Sequence, residues 1–154
     1  MPAHKSDKSS TRDEIVLGID YGETNIGLAF GRIGLTGPLD TISGKNTGQA
    51  ISGIAKAYHD IDGTRIVMGL PLNADGKETS NSVAVRRFAK LLKIYLKQPI
   101  EFVNEYLTTQ ESVEKLVNQG MPQKSRKSGK KDRLSAELIL KRYYHEKEWS
   151  LDSL

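Results

Sequence analysis

Three carboxylates stand where carboxylates do chemistry. Asp20 closes an apolar, β-branched run, Glu105 follows a second such run, and Asp132 opens a helical pattern far along the chain. The chain has no cysteine, which removes thiolate metal sites and cysteine nucleophiles and leaves carboxylates and histidines as ligands. Acids gathered at strand ends with no His or Cys among them suit a hard, oxygen-seeking cation, Mg2+ or Mn2+. Without a cation they would repel one another. Two such ions ~3.5–4 Å apart can activate a water, stabilise a leaving oxygen and offset phosphate charge during in-line displacement. Each acid also has a plainer reading. Asp20 is a turn residue before Gly22, Glu105 an acid near a helix start, and Asp132 a helix N-terminal acid beside Lys131. The combination is what points to a metal site.

The elements that must position these acids follow from hydrophobic period. Residues 14–20 (EIVLGID) read as a strand buried on both faces, and the turn at residues 21–25 leads into IGLAFGRI, giving a hairpin. A third strand is expected after Pro38, at residues 39–42. Ile51, Ile54, Ala55 and Tyr58 form the stripe of a first helix over residues 48–59. Residues 65–69 (RIVMG) form the next strand, followed by the turn-rich PLNADGKETS, where Asp75-Gly76 makes a turn. Ser80 or Asn81 caps a second helix with Phe88, Leu91, Leu92 and Tyr95 on one face, stopping near Gln98 because Pro99 follows. Residues 100–103 form the last strand and deliver Asn104 and Glu105 at its end. Thr108 and Glu111 make a capping box for a third helix with Val113, Leu116 and Val117 inward, ended by Gly120 and Pro122. The final helix covers residues 132–146, with Asp132 on the same side as Ala136, Ile139 and Tyr143. The order predicts an α/β fold, a mixed central sheet of about five strands flanked by helices.

Length and charge narrow the partner. The 154 residues suffice for one domain with a full core, assigned to residues 14–146, with a polar arm at 1–13 and a tail at 147–154. The absence of cysteine fits a reducing cytoplasm, and no apolar run approaches the ~20 residues of a membrane span. The net charge of +4 favours a polyanionic partner. The basic loop MPQKSRKSGKK concentrates it. Lys124, Arg126, Lys127, Lys130 and Lys131 immediately precede Asp132 and are the candidate nucleic-acid contacts, each adding salt-dependent affinity. Their plainer reading is a solvated linker.

Four segments then resemble one known family in order: IDYGETNIGLAFG (19–31), GLPLNADG (69–76), NEYLTTQES (104–112) and KDRLSAELILKRYY (131–144). They are similar to the YqgF family of RuvX-like Holliday junction resolvases and pre-16S rRNA nucleases. The resemblance implies an RNase H-like fold, with the family's three acids falling on Asp20, Glu105 and Asp132. It also implies a bacterial cytoplasmic protein of ribosome biogenesis, acting on structured RNA or branched DNA and in contact with ribosomal precursor particles. The chain departs from the family pattern at Asn104 and Tyr106, where Asp and Arg are usual, and at Glu23, Thr24 and Asn25, where Lys or Arg is often found. The missing cations would face phosphate, and Lys77, Arg86 or the basic loop are the candidates to replace them.

Two other classes of function compete. A nucleic-acid-binding or ribosome-assembly module with the same fold and no catalysis would fit the altered positions. An actin-like nucleotide-binding protein would use Asp20-Tyr21-Gly22 as a phosphate turn, but a second such loop and a second lobe are lacking in 154 residues. Cutting paired strands of a junction favours a two-fold homodimer, whereas trimming precursor rRNA is open to a monomer.

Overall fold

The computed structural model describes residues 14–105 and 129–152, with side chains in the last helix from residue 136 to residue 147. Strand β1 (Ile15–Asp20) pairs antiparallel with β2 (Asn25–Arg32), as the short turn between two apolar runs requires. β3 (Leu35–Pro38) pairs antiparallel with β2, and the two-residue β4 (Ile42–Ser43) pairs with the start of β2. The third strand thus ends at Pro38 instead of following it. Ile33 and Gly34 adopt φ of 53° and 80°, the left-handed pair that reverses a two-residue hairpin at once. Pro38 can close β3 because that strand lies at the sheet edge, where a missing N–H costs no ladder bond.

Helix α1 (Thr47–Asp60) begins at Asn46, whose side chain accepts from the Gln49 N–H at 2.9 Å. It returns the chain to β5 (Arg65–Pro71), parallel to β1. Helix α2 (Ser80–Leu96) is capped by Thr79, one residue before the expected cap, in a reciprocal box with Ser82. The Ser82 hydroxyl is buried and also donates to the Pro71 carbonyl, so the cap is welded to the end of β5. The packed face of α2 is Val85, Phe88, Ala89 and Leu92, while Leu91 and Tyr95 are 45% and 59% exposed. The buried stripe includes small Ala89, and the larger Leu91 and Tyr95 fall one step round the helix. Lys97, at φ 57°, ends α2 and leads to β6 (Ile100–Glu105), parallel to β5.

The sheet order is β3-β2-β1-β5-β6, antiparallel on one side of β1 and parallel on the other. This is the mixed sheet expected. α1 and α2 cover one face, where Ile54, Tyr58, Phe88 and Leu92 meet Leu17, Ile19, Ile66 and Met68. The other face takes α3 (Gly129–Asp152), which buries Ala136, Ile139, Leu140 and Tyr143 on Val16, Ala29, Val67 and Val103. It is longer than the expected 132–146, there being no Gly or Pro from Lys130 to Asp152 to stop it. A Cβ on Gly18 would lie 2.6 Å from Leu140 Cγ, so the helix rests on bare backbone there. Leu140 over Gly18 and Tyr143 bonded to Glu14 fix its direction: α3 runs opposite to β1, its N-terminal end toward Asp20.

Candidate metal site

Alternation along the strands decides which side chains meet. Val16 and Gly18 lie beneath α3, so Asp20 ends β1 on that face, and Val103 and Glu105 share it on β6. Between them runs β5, which presents Val67 and then Gly69. Asp20 is flanked by glycine on both sides. Gly27 pairs with it on β2, and Gly69 follows Met68, the partner of Ile19. A Cβ on Gly69 would sit 1.8 Å from Glu105 Oε2 and 2.4 Å from its Cδ, so the Glu105 carboxylate lies across the bare backbone of β5, on the side of Asp20.

The electrostatics follow from that crossing. Burial pushes the Glu105 carboxyl up from 4.5 to about 8, the Asp20 carboxylate pushes it the same way, and Arg142 on α3 offsets part of the rise. Burial and the neighbouring Asp20 charge together favour the protonated form of Glu105 in this corner. The set is all oxygen, at the carboxyl ends of parallel strands, and it fits a hard divalent ion. Among the described residues no three His, Cys, Asp or Glu gather as a metal site. Asp132, the expected third ligand, lies in α3 one turn before the buried Ala136, at the helix end directed toward Asp20, and its side chain is outside the described residues.

Two loops hold the pair from the opposite face. Tyr21, next to Asp20, stacks on Phe88 of α2 at 4.4 Å between ring centroids. A Cβ on Gly22 would come within 2.5 Å of the Asn25 carbonyl, so the turn closes only around glycine, and Gly44 N–H bonds the Thr24 carbonyl behind it. The GLPLNADG segment is a backbone-shaping loop, as its composition predicts: Asn73 Oδ1 accepts from the N–H groups of Asp75 and Lys77, and Gly76 takes φ 76°. Its Leu72 N–H bonds the Glu105 carbonyl at 3.3 Å, which ties the loop to the strand end that carries the acid.

Asp20 and Glu105 are thus brought together. Asn104 is not part of the pair: it shares the Phe102 side of β6, opposite Glu105, so Asn in place of Asp leaves the acidic corner intact. Arg86 is engaged by Glu78, with Nε 2.9 Å from both carboxylate oxygens, and lies over the Phe102 ring. As a replacement phosphate contact it is already committed, while Lys77 is exposed. Lys130 and Lys131 fall in the first turn of α3; Lys124, Arg126, Lys127, Tyr106 and the expected third helix lie outside the described residues. Residue types alone did not single out Gly27, Gly69 and Arg142. The signal for the glycines was present, since glycine inside a strand marks a close approach.

Comparison with known proteins places the whole chain in a family. The family model described as RuvX, Holliday junction resolvase, matches residues 14–146. A protein of Syntrophus aciditrophicus named "Putative pre-16S rRNA nuclease" is 40% identical over 130 residues, covering 83% of this chain and 86% of that protein. One of the same name from Synechococcus is 36% identical over 150 residues, covering 95% and 87%. Among solved structures, Thermus thermophilus RuvC in complex with a Holliday junction substrate superposes with a TM-score of 0.55 at 16% identity, covering 86% of this chain and 96% of that one. That likeness establishes an RNase H-like fold. By the family match and by its relatives, the chain belongs to the RuvX (YqgF) family.

Proposed function

We propose that this protein is a divalent-metal-dependent endonuclease acting on structured nucleic acid, either precursor 16S rRNA or branched DNA, with Asp20, Glu105 and Asp132 as the metal ligands. The observation that carries the reading is the Glu105 carboxylate lying across Gly69 beside Asp20, in a corner where its proton is held to about pH 8. Bound Mg2+ or Mn2+ would supply a water of lowered pKa and a counter-charge for the scissile phosphate. Asp20 and Glu105 would hold the ion from the sheet and Asp132 from the helix. Lys130 and Lys131 at the start of α3, with Lys124, Arg126 and Lys127 before them, would meet the phosphate backbone near the cut. Names borne by the relatives support the RNA substrate, and the family description supports the junction. Ribosomal precursor particles in a bacterial cytoplasm are the corresponding setting, and no helix among the described residues is long and apolar enough to cross a membrane.

The test is a side-by-side cleavage assay on precursor 16S rRNA and a four-way DNA junction, titrated with Mn2+ and Mg2+, with Asp20→Asn as control. Wild type should cut one of the two. The variant should lose at least ~100-fold, since even indirect support of a metal ligand is worth ~10–100-fold. Equal product from both proteins, or none from wild type on either substrate, would overturn the reading in favour of a non-catalytic module.

A further inference from the structure

Gly69 stands in the middle of the sheet, and two groups claim the space its missing side chain leaves. One is the Glu105 carboxylate, at 1.8 Å (Oε2) and 2.4 Å (Cδ) from a Cβ built there; the other is Ile139 Cδ1 of α3, at 2.6 Å. All three lie below the distance real Cβ atoms keep, and Gly69 is paired with Val103 of β6, one residue past Met68, the last β5 residue paired with β1. Its backbone is ordinary strand with no positive φ, so conformation does not demand glycine. Space does. Gly18, under Leu140, makes room for the helix alone, whereas Gly69 makes room for the helix and for an acid.

We propose that Gly69 is a positioning residue for the metal site: its bare Cα is the channel through which Glu105, one strand away, reaches across β5 to the Asp20 corner, and any side chain there turns the carboxylate out of the site. Glu105 sits at the end of β6 in register with Pro71. Its carboxylate lies over residue 69, on the strand that separates β6 from β1. This inference rests on the assignment of Asp20 and Glu105 as ligands, and it adds what lets the second of them arrive.

Ile139→Val separates the two claims on the space, because it deletes Cδ1, the helix atom in the way. Four proteins are compared: wild type, Ile139→Val, Gly69→Ala, and Gly69→Ala with Ile139→Val. Thermal unfolding reports the helix contact, and Mn2+ binding by titration calorimetry reports the acid. Gly69→Ala should lower Tm and weaken Mn2+ by at least ~10-fold. Adding Ile139→Val should recover most of the Tm and none of the affinity. Recovery of both would overturn the proposal, leaving Gly69 as a spacer for α3 only.

A stability cycle with Glu105→Ala covers the case in which Gly69→Ala does not fold, and it requires no metal. Removing the carboxylate should make the added methyl tolerable, so the double variant should fold at least as well as Gly69→Ala. Additive destabilisation would show that the two side chains do not compete, and would also overturn it. Wild type that binds no Mn2+ while the cycle shows coupling would sink the metal assignment and spare the steric one.

Discussion

The face of the sheet beneath α3 carries two acidic ends that the protein treats in opposite ways. At the amino ends of the strands, Glu14 is nearly buried, accepts from Arg65 Nε at 2.6 Å and from the Tyr143 hydroxyl at 2.9 Å, and so is bonded through both carboxylate oxygens. Glu101 beside it takes Arg65 NH1 at 3.1 Å and Lys147 Nζ at 3.5 Å. At the carboxyl ends, Glu105 meets Asp20, and its carboxyl rises to about 8. Each end brings onto one face acids from β6 and from the ends of β1, the two strands that flank β5. At one end short ion pairs join the acids to cations; at the other the Asp20 charge raises the Glu105 carboxyl, with Arg142 opposing part of that rise. Acids joined to cations across strands fasten a fold, whereas a buried acid raised by a like charge is the pattern expected of a functional corner.

Charge removal should therefore have opposite signs at the two ends, and that is the largest effect. Glu14→Gln takes from Arg65 the nearer of its two carboxylate charges, leaving Glu101, and weakens the bond from Tyr143, which burial and Glu14 together keep firmly protonated. Arg65 is 35% exposed, so water screens part of the loss. The variant should lose ~1–3 kcal/mol in denaturant unfolding. Glu105→Gln removes a repulsion, so at pH 8 without metal it should unfold at a higher temperature than wild type. A destabilised Glu105→Gln at that pH would erase the distinction between the ends.

The pH dependence sharpens the same contrast. Unfolded, Glu105 releases its proton near 4.5; folded, it keeps it to about 8. Between those values the native state holds more protons, so metal-free stability should fall as pH rises from about 4.5 to about 8. Above that it should level off. Glu105→Gln should flatten this slope in calorimetric scans. Mn2+ must displace the held proton, so its affinity and its stabilisation should both grow from pH 6 to pH 8. At about 100 times its dissociation constant the ion should add ~2.7 kcal/mol. A Mn2+-induced Tm shift that is equal at both pH values would break the link between the raised carboxyl and the metal.

Much of this arrangement is readable from residue order. The hairpin to Asp20 follows from one short turn between apolar runs, and β6 delivers Glu105 as its period indicates. Two features escaped the pattern for physical reasons. Leu91 and Tyr95 are apolar at helical spacing, yet α2 buries Val85 and Ala89 instead, the stripe that continues from buried Ser82, which is bonded to the end of β5. Similarly, β3 ends at Pro38 instead of starting after it because the Ile33-Gly34 reversal is a backbone event that hydrophobicity does not register. The adjacency of Asp20 and Glu105 is a fact of strand order. Nothing local in either segment states that β5, with a glycine at the crossing point, lies between them.

Lys147 provides the smallest and most discriminating perturbation. It lies 3.5 Å from Glu101 and 5.4 Å from the Tyr143 ring centre, with 44% of its side chain exposed. Glu101 keeps Arg65 when Lys147 is gone, so Lys147→Met should cost no more than ~0.5–1 kcal/mol and mostly at low salt. Its ammonium lies over the Tyr143 ring, and methionine gives up that cation–π contact with the charge. If the end of the sheet carrying Glu14 is purely a fastening for α3, this variant should leave the Mn2+ affinity at the other end unchanged. A weakened Mn2+ affinity in Lys147→Met would mean instead that α3 transmits its seating along its length, and that the two acidic ends are coupled through the helix that covers both.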